Sequence, residues 1–271
     1  MHTDFPHHGS SRISYSRWGT GDKLLLCFHG YGESGDSFAF LAAALGNEFT
    51  ILAIDLPFHG QTEWKEGPVL LPDDLLAILS QLTAGLPGAA HRWWLLGYSM
   101  GGRVALSLAE KIPEKIEKLI LVAPDGLKMN PWYWLATQNA PGRGLFRWTM
   151  KKPGWFFFIL KIASALGLVN RSIYKFTFNY IADPTVREEL YNRWTTMRSF
   201  RPDIPAVRSS IREQGIAVRL MYGRHDRIIR WETGEKFRKG ISAGCKLVIL
   251  ETGHRLLQEK NAEELLALLK G

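Results

Sequence analysis

Residues 94–103 read WLLGYSMGGR. An apolar run stops at Gly97, Ser99 stands between the glycines at 97 and 101, and MGGRVALSLAEK follows with helical spacing. When a strand passes into a helix through one tight bend, the central residue is pushed out of the sheet in a strained conformation. Its neighbours two positions away must then be nearly without side chains. Gly97 and Gly101 meet that need, and Gly102 adds room. The segment predicts a strand over RWWLL, a helix from Met100, and a serine hydroxyl held at the turn between them. The spacing alone is weak, because at a glycine usage of about 7% it arises by accident in roughly one such chain in ten. Its place between strand and helix gives it weight.

Outward from this turn, short apolar runs (LLLCF, TILAI, WWLL, KLILVA, VRLMYG, KLVIL) alternate with helical patterns (FAFLAAAL, DDLLAILSQL, GRVALSLAEK, GEKFRKGI, AEELLALL). That alternation predicts an α/β fold, a parallel sheet covered by helices. SSRISYSRWG (10–19) reads as an early antiparallel strand, and Asn261 as the N-cap of a final helix. Residues 128–212 break the rhythm and are rich in Trp, Phe, Arg and Lys. The expected division is a core of 1–127 and 213–271 with a mainly helical insertion, a cap or lid, at 128–212.

A serine hydroxyl becomes a useful nucleophile when a base takes its proton, and an imidazole base needs a carboxylate to hold its tautomer and stabilise its charge. Downstream, RLMYGRHDRII ends a strand and opens a loop with Asp226, and KLVILETGHRLL ends the last strand with His254. Both lie at carboxyl ends of expected strands, the edge where parallel sheets form their sites. The order Ser99, Asp226, His254, with HGYGESGDSF (29–38) and DLPFHGQT (55–62), resembles the α/β-hydrolase fold superfamily, in its capped serine hydrolases of the esterase, lipase and cofactor-free haloperoxidase type. The resemblance spans nearly the whole chain outside the insertion. It implies a mostly parallel central sheet, a helical cap, and a catalytic triad of Ser99, Asp226 and His254.

Acyl transfer also needs rigid donors for the tetrahedral oxyanion, and losing one costs about 3 kcal/mol of barrier in a studied case. The amide of Met100, at a helix N-terminus where the dipole favours negative charge, is the first expected donor. The resemblance implies Tyr31, after the His29–Gly30 pair, as the second.

Each assignment has a rival. Asp125 in LVAPDGL competes with Asp226, because some lipases carry the acid after that earlier strand; Asp226 is favoured. His29, His59 and His225 are expected to organise loops, and His2, His7 and His8 to belong to a mobile amino-terminal arm. Ser34 reads as a turn or cap residue and Asp55 as a loop holder. DLPFHGQT departs from the usual D-x-P-G-x-G-x-S by Phe58 and Thr62, which bears on pocket shape rather than on the triad. Serine at the nucleophile position argues against haloalkane dehalogenases and epoxide hydrolases.

Composition excludes other classes. At 46% hydrophobic and 22% charged residues, the 271-residue chain is ordinary for a globular protein. The start of the chain lacks the pattern of a secretory signal, and the only cysteines, Cys27 and Cys245, read as buried fillers; both suit a cytoplasmic location. WFFFILKIASALGLV (155–169) is shorter than a spanning helix and contains Lys161. Neither a metal-ligand motif nor a dinucleotide fingerprint occurs, so neither metal nor cofactor is expected. Despite a pI near 9.5 there is no nucleic-acid reading motif, so no nucleic-acid partner is expected.

Residues 128–212 hold fourteen Lys and Arg against four acids, a net +10 in a chain of +8, which leaves −2 elsewhere. They also hold sixteen of the thirty-two aromatics. One account makes the aromatics the core of a small subdomain over which Lys and Arg snorkel. The other is a lid that offers aromatic surface to an acyl chain and positive charge to an anionic head group, coenzyme A or an anionic membrane surface. The resulting expectation is a serine hydrolase of a carboxylic ester or thioester, with a small apolar or amphiphilic acyl substrate and an acyl-enzyme on Ser99. Carbon–carbon bond hydrolysis, acyl transfer and perhydrolysis share the same triad; a non-catalytic ligand-binding relative is a different class, whose expected signature, a missing triad member, is absent from the sequence. The sequence leaves the oligomeric state open.

Overall fold

A computed structural model describes residues 5–167, 174, 178, 180–241 and 244–271. Among them, β1 (His7–His8) pairs with β2 (Ser11–Arg12) in a small antiparallel ladder. The main sheet comprises β3 (Tyr15–Trp18), β4 (Lys23–Phe28), β5 (Phe49–Ile54), β6 (Trp93–Tyr98), β7 (Ile116–Val122), β8 (Ala217–Gly223) and β9 (Cys245–Leu250). Its order is β3-β5-β4-β6-β7-β8-β9, with β3 antiparallel to β5 and every other neighbouring pair parallel. β5 and β6 are buried along their whole length, as their unbroken apolar runs require of strands covered on both faces.

The chain divides into two compact units, 1–128 with 199–271 and 129–198. In the first, helices α1 (Ala42–Leu45), α2 (Pro72–Thr83) and α3 (Met100–Lys111) follow the early strands. The second contains α4 (Pro131–Thr137), α5 (Ala140–Lys151), α6 (Gly154–Ala165) and α7 (Pro184–Thr196). The first unit then resumes with α8 (Ile204–Gln214), α9 (Glu232–Arg238) and α10 (Ala262–Lys270).

The helical unit ends at Arg198, short of the 212 expected from composition. α8 packs on α3 in the sheet-bearing unit, burying Val207 and Ile211. Its basic side chains serve that unit: Arg208 donates to Lys236 O at 2.8 Å and Arg212 to Gly240 O at 2.9 Å, carbonyls at the carboxyl end of α9. Within 129–198 an Asn or Asp cap with Pro at the first or second helical position starts three helices. Asn130 accepts from Trp132 N and Tyr133 N, Asn139 from Gly142 N, and Asp183 from Thr185 N and Val186 N. Each cap stabilises its helix by about 1 kcal/mol. Some aromatics form the unit's own core, with Tyr133, Phe146, Tyr191 and Trp194 in mutual ring contact.

Three local expectations need correction. FAFLAAAL is mostly a 3₁₀ turn (Gly35–Leu41) followed by the single turn of α1; in that tighter winding, residues three apart eclipse, so Gly35, Phe38 and Leu41 bury one face. Asn261 stands at the N-cap position of α10 as expected, but its side chain makes no capping hydrogen bond, and its Nδ2 instead donates back to Leu256 O at 2.9 Å. His7 and His8 lie in β1 rather than in a loose arm, and His8 stacks on Trp64 at 5.9 Å. His2 and residues 168–169 of the long apolar run lie outside the described residues. Among the described residues no helix is long and apolar enough to cross a membrane.

Candidate active site

The turn between β6 and α3 has the strained form expected from its glycines. Ser99 sits at φ 48° and ψ −115°, a region L-residues avoid. Its carbonyl accepts from Gly102 N and Asp125 N, and its amide donates to Val122 O at 2.9 Å. A Cβ on Gly101 would lie 1.9 Å from Phe28 O, and one on Gly97 would lie 2.6 Å from Gly101 O. One on Gly102 would lie 2.5 Å from Pro124 Cβ. The glycines let α3 close on the ends of β4 and β7, and that closure aims the serine side chain.

Ser99, Asp226 and His254 come together. Ser99 Oγ lies 3.0 Å from His254 Nε2, and His254 Nδ1 lies 2.7 Å from Asp226 Oδ2. They follow β6, β8 and β9, all at the carboxyl edge of the sheet. The other oxygen of Asp226 accepts from Ile228 N at 2.7 Å and Ile229 N at 2.9 Å, which fixes the carboxylate in a fully buried position. Burial pushes the Asp226 carboxyl up, but the His254 hydrogen bond and the two amides together hold it below the ordinary carboxylate value.

The rival acid is engaged elsewhere. Asp125 pairs with the buried Arg103 guanidinium, and its second oxygen accepts from Gly126 N at 2.7 Å. His29, His59 and Asp55 hold loops, as expected. His29 Nε2 accepts from Leu56 N at 3.0 Å, His59 Nδ1 lies 2.9 Å from Pro57 O, and Asp55 accepts from Gly35 N and Gln61 N. His225 is exposed beside Glu251. Phe58 adopts φ 61°, the left-handed region that the glycine usual at this position serves.

Met100 opens α3, where the first amides lack intrahelical acceptors. Tyr31 follows β4, with its ring edge-on to His59 at 6.0 Å. The loop carrying it runs close by Ser99: a Cβ on Gly30 would lie 2.9 Å from Tyr98 Cε1 and 3.4 Å from Ser99 Cβ.

Sequence reasoning missed two side chains here. Tyr98 Oη donates to His254 O at 3.0 Å, and its ring lies 5.7 Å from the imidazole. Burial and the nearby Glu33 and Asp226 carboxylates push its phenol well above the ordinary value, so it remains a donor. Glu33, in the Tyr31 loop, has an Oε2 that is buried with no hydrogen-bond partner among the described residues; burial pushes its carboxyl up, more than hydrogen bonds from the Gly30 backbone and the Ser37 side chain lower it. Both stand inside the motif segments, Tyr98 in the serine turn and Glu33 in HGYGESGDSF, but at positions whose residue type the motif leaves open; adjacency to Ser99 was the only signal for Tyr98. Among the described residues no group of three or more His, Cys, Asp or Glu is arranged to hold a metal ion.

The sheet order, the strained serine turn and its two hydrogen-bonded partners define an α/β hydrolase. Residues 24–268 match the alpha/beta hydrolase family, and the chain belongs to it. It is 24% identical over 244 residues to an uncharacterized hydrolase of Bacillus subtilis strain 168, YugF, across 89% of this chain and 86% of that one. It is 32% identical over 147 residues to the pimeloyl-(acyl-carrier protein) methyl ester esterase of Aeromonas salmonicida, across 52% of this chain and 55% of that enzyme. A solved thermophilic esterase from Thermogutta terrifontis shares the fold, with a TM-score of 0.66 at 19% identity over 96% of this chain and 92% of that one.

Proposed function

We propose that the chain is a serine hydrolase that cleaves a carboxylic ester or thioester through an acyl-enzyme on Ser99. The observation that carries this reading is the unbroken series Ser99 Oγ, His254 Nε2, His254 Nδ1, Asp226 Oδ2, at 3.0 and 2.7 Å. His254 takes the hydroxyl proton as Ser99 attacks the carbonyl carbon, then delivers it to the leaving alcohol or thiol. Asp226 holds the tautomer with Nε2 free to accept and stabilises the imidazolium that forms. The amides of Met100 and Tyr31 receive the oxyanion. Water, deprotonated by the same imidazole, releases the acid and restores Ser99. The esterase names of two relatives support this chemistry.

The aromatic richness of the helical unit, the cap of this reading, supports an apolar or amphiphilic acyl group as the preferred substrate. A panel of activated esters and matching thioesters of increasing acyl length tests this. kcat/KM rises with acyl length under the proposal, and a flat profile contradicts it. Loss of all turnover in Ser99→Ala separates the enzyme's own activity from a contaminant's.

A further inference from the structure

Helix α6 turns an apolar face to solvent. Phe158, Ile159 and Ile162, with Leu166 just beyond its end, are exposed, Phe158 by 66% and Leu166 by 69%. At about 100° per residue the four positions fall within an arc of about 100°, while Leu160 on the opposite side is buried. α5 extends this surface, because its exposed Trp148 stacks on Trp155 of α6 at 5.0 Å and Leu145, one turn earlier, is also exposed. Single exposed apolar residues are ordinary on a protein surface, but six on two linked helices are a patch that needs a partner.

The charge around the patch has one sign. Residues 129–167 contain Arg143, Arg147, Lys151, Lys152 and Lys161 and no carboxylate. Of these, Arg147 and the three lysines are exposed. Among the described residues the ion pair of this unit lies on α7 instead, between Arg193 and Glu189.

We propose that the α5–α6 face docks on an anionic lipid bilayer, its apolar side chains at the boundary of headgroups and acyl chains and its lysines and arginines on the headgroups. A twelve-residue helix is about 18 Å long, too short for the roughly 30 Å hydrocarbon core, so the attachment is to one surface. A second copy is a poorer occupant, because symmetric pairing of this face sets one cationic rim against another.

The docking is independent of chemistry at Ser99, so it is tested by binding alone, with wild-type chain and Ser99→Ala side by side. Both are sedimented with vesicles of phosphatidylcholine, or of phosphatidylcholine mixed with an equal part of phosphatidylglycerol. Both proteins are expected to bind the anionic vesicles, leave the neutral ones, and detach as salt is added. Phe158→Glu with Ile162→Glu abolishes binding. Lys151→Glu with Lys152→Glu weakens it about tenfold or more. These sites are exposed, and an unchanged Tm certifies each variant as folded. Equal binding to both vesicle types, binding to neither, or full binding by folded Phe158→Glu/Ile162→Glu overturns the proposal. A lipid-free dimer in light scattering that the same substitution dissociates assigns the face to a second copy and overturns it too.

Discussion

Arg103 and Asp125 form an ion pair beside the serine turn, its guanidinium buried and its carboxylate partly exposed. The pair decides between two carboxylates at comparable strand ends, because Asp226 is left as the one hydrogen-bonded to His254. Asp226→Asn should lower kcat by about ten-thousandfold, since the wrong imidazole tautomer is then held. Asp125→Asn should keep turnover within about tenfold per folded molecule but cost about 2 kcal/mol of stability. That is less than the roughly 3–5 kcal/mol of a fully buried pair, because Asp125 keeps some solvent. Kinetics and denaturant melts on both variants check the ranking, and the reverse order in kcat would move the acid to Asp125.

Gly101→Ala should be poorly tolerated. Its Cβ would lie 1.9 Å from Phe28 O, a backbone atom that cannot swing aside. A loss of about 3 kcal/mol is expected, at the upper end for overpacking, together with loss of activity as α3 is pushed off β4. Gly144→Ala, inside α5 with nothing within 4 Å of the added carbon, should instead gain about 0.5–1 kcal/mol from helix propensity. Thermal melts of the two variants should therefore shift in opposite directions.

Glu33 and Asp226 should influence stability with opposite dependence on pH. The folded Glu33 carboxyl is raised by burial, so it binds its proton more tightly folded than unfolded. Its contribution is most favourable below the unfolded value of about 4.3 and is lost as pH rises through the folded one. Glu33→Gln should then raise Tm at neutral pH and lose that advantage near pH 4. Asp226 is net lowered, so its contribution is full above an unfolded value of about 3.9 and is lost as pH falls through the folded one. Asp226→Asn should lower Tm at neutral pH, with the gap closing in acid. Calorimetry at neutral pH, at about pH 4 for Glu33→Gln and at about pH 2 for Asp226→Asn would reject this account if either Tm difference were independent of pH.

Much of the core was legible because its causes are local. The glycines around Ser99 answer a steric demand within a few residues, and the buried strands announce themselves as unbroken apolar runs. The sequence favoured Asp226 over Asp125, but the contact that engages Asp125 was not legible, because Arg103 reaches it only when α3 lies along β7. The end of the helical unit was misread for a similar reason. Arg208 and Arg212 continue a basic run in sequence, yet in space they serve carbonyls at the end of α9. Asn261 occupies a cap position by sequence but spends its amide on Leu256 O, a partner set by the loop after His254. Tyr98 reads as one more strand residue until β9 delivers the His254 carbonyl to its hydroxyl.

The central claim, that Ser99 is the nucleophile, is tested most directly by covalent capture. The purified chain is treated with a fluorophosphonate, and the adduct is followed by intact mass and located by peptide mapping. The account predicts one adduct per chain on the peptide carrying Ser99, absent in Ser99→Ala and strongly slowed in His254→Ala, with ester turnover in Ser99→Ala reduced by about a million-fold. An adduct on another residue, or near wild-type turnover in folded Ser99→Ala, would contradict it.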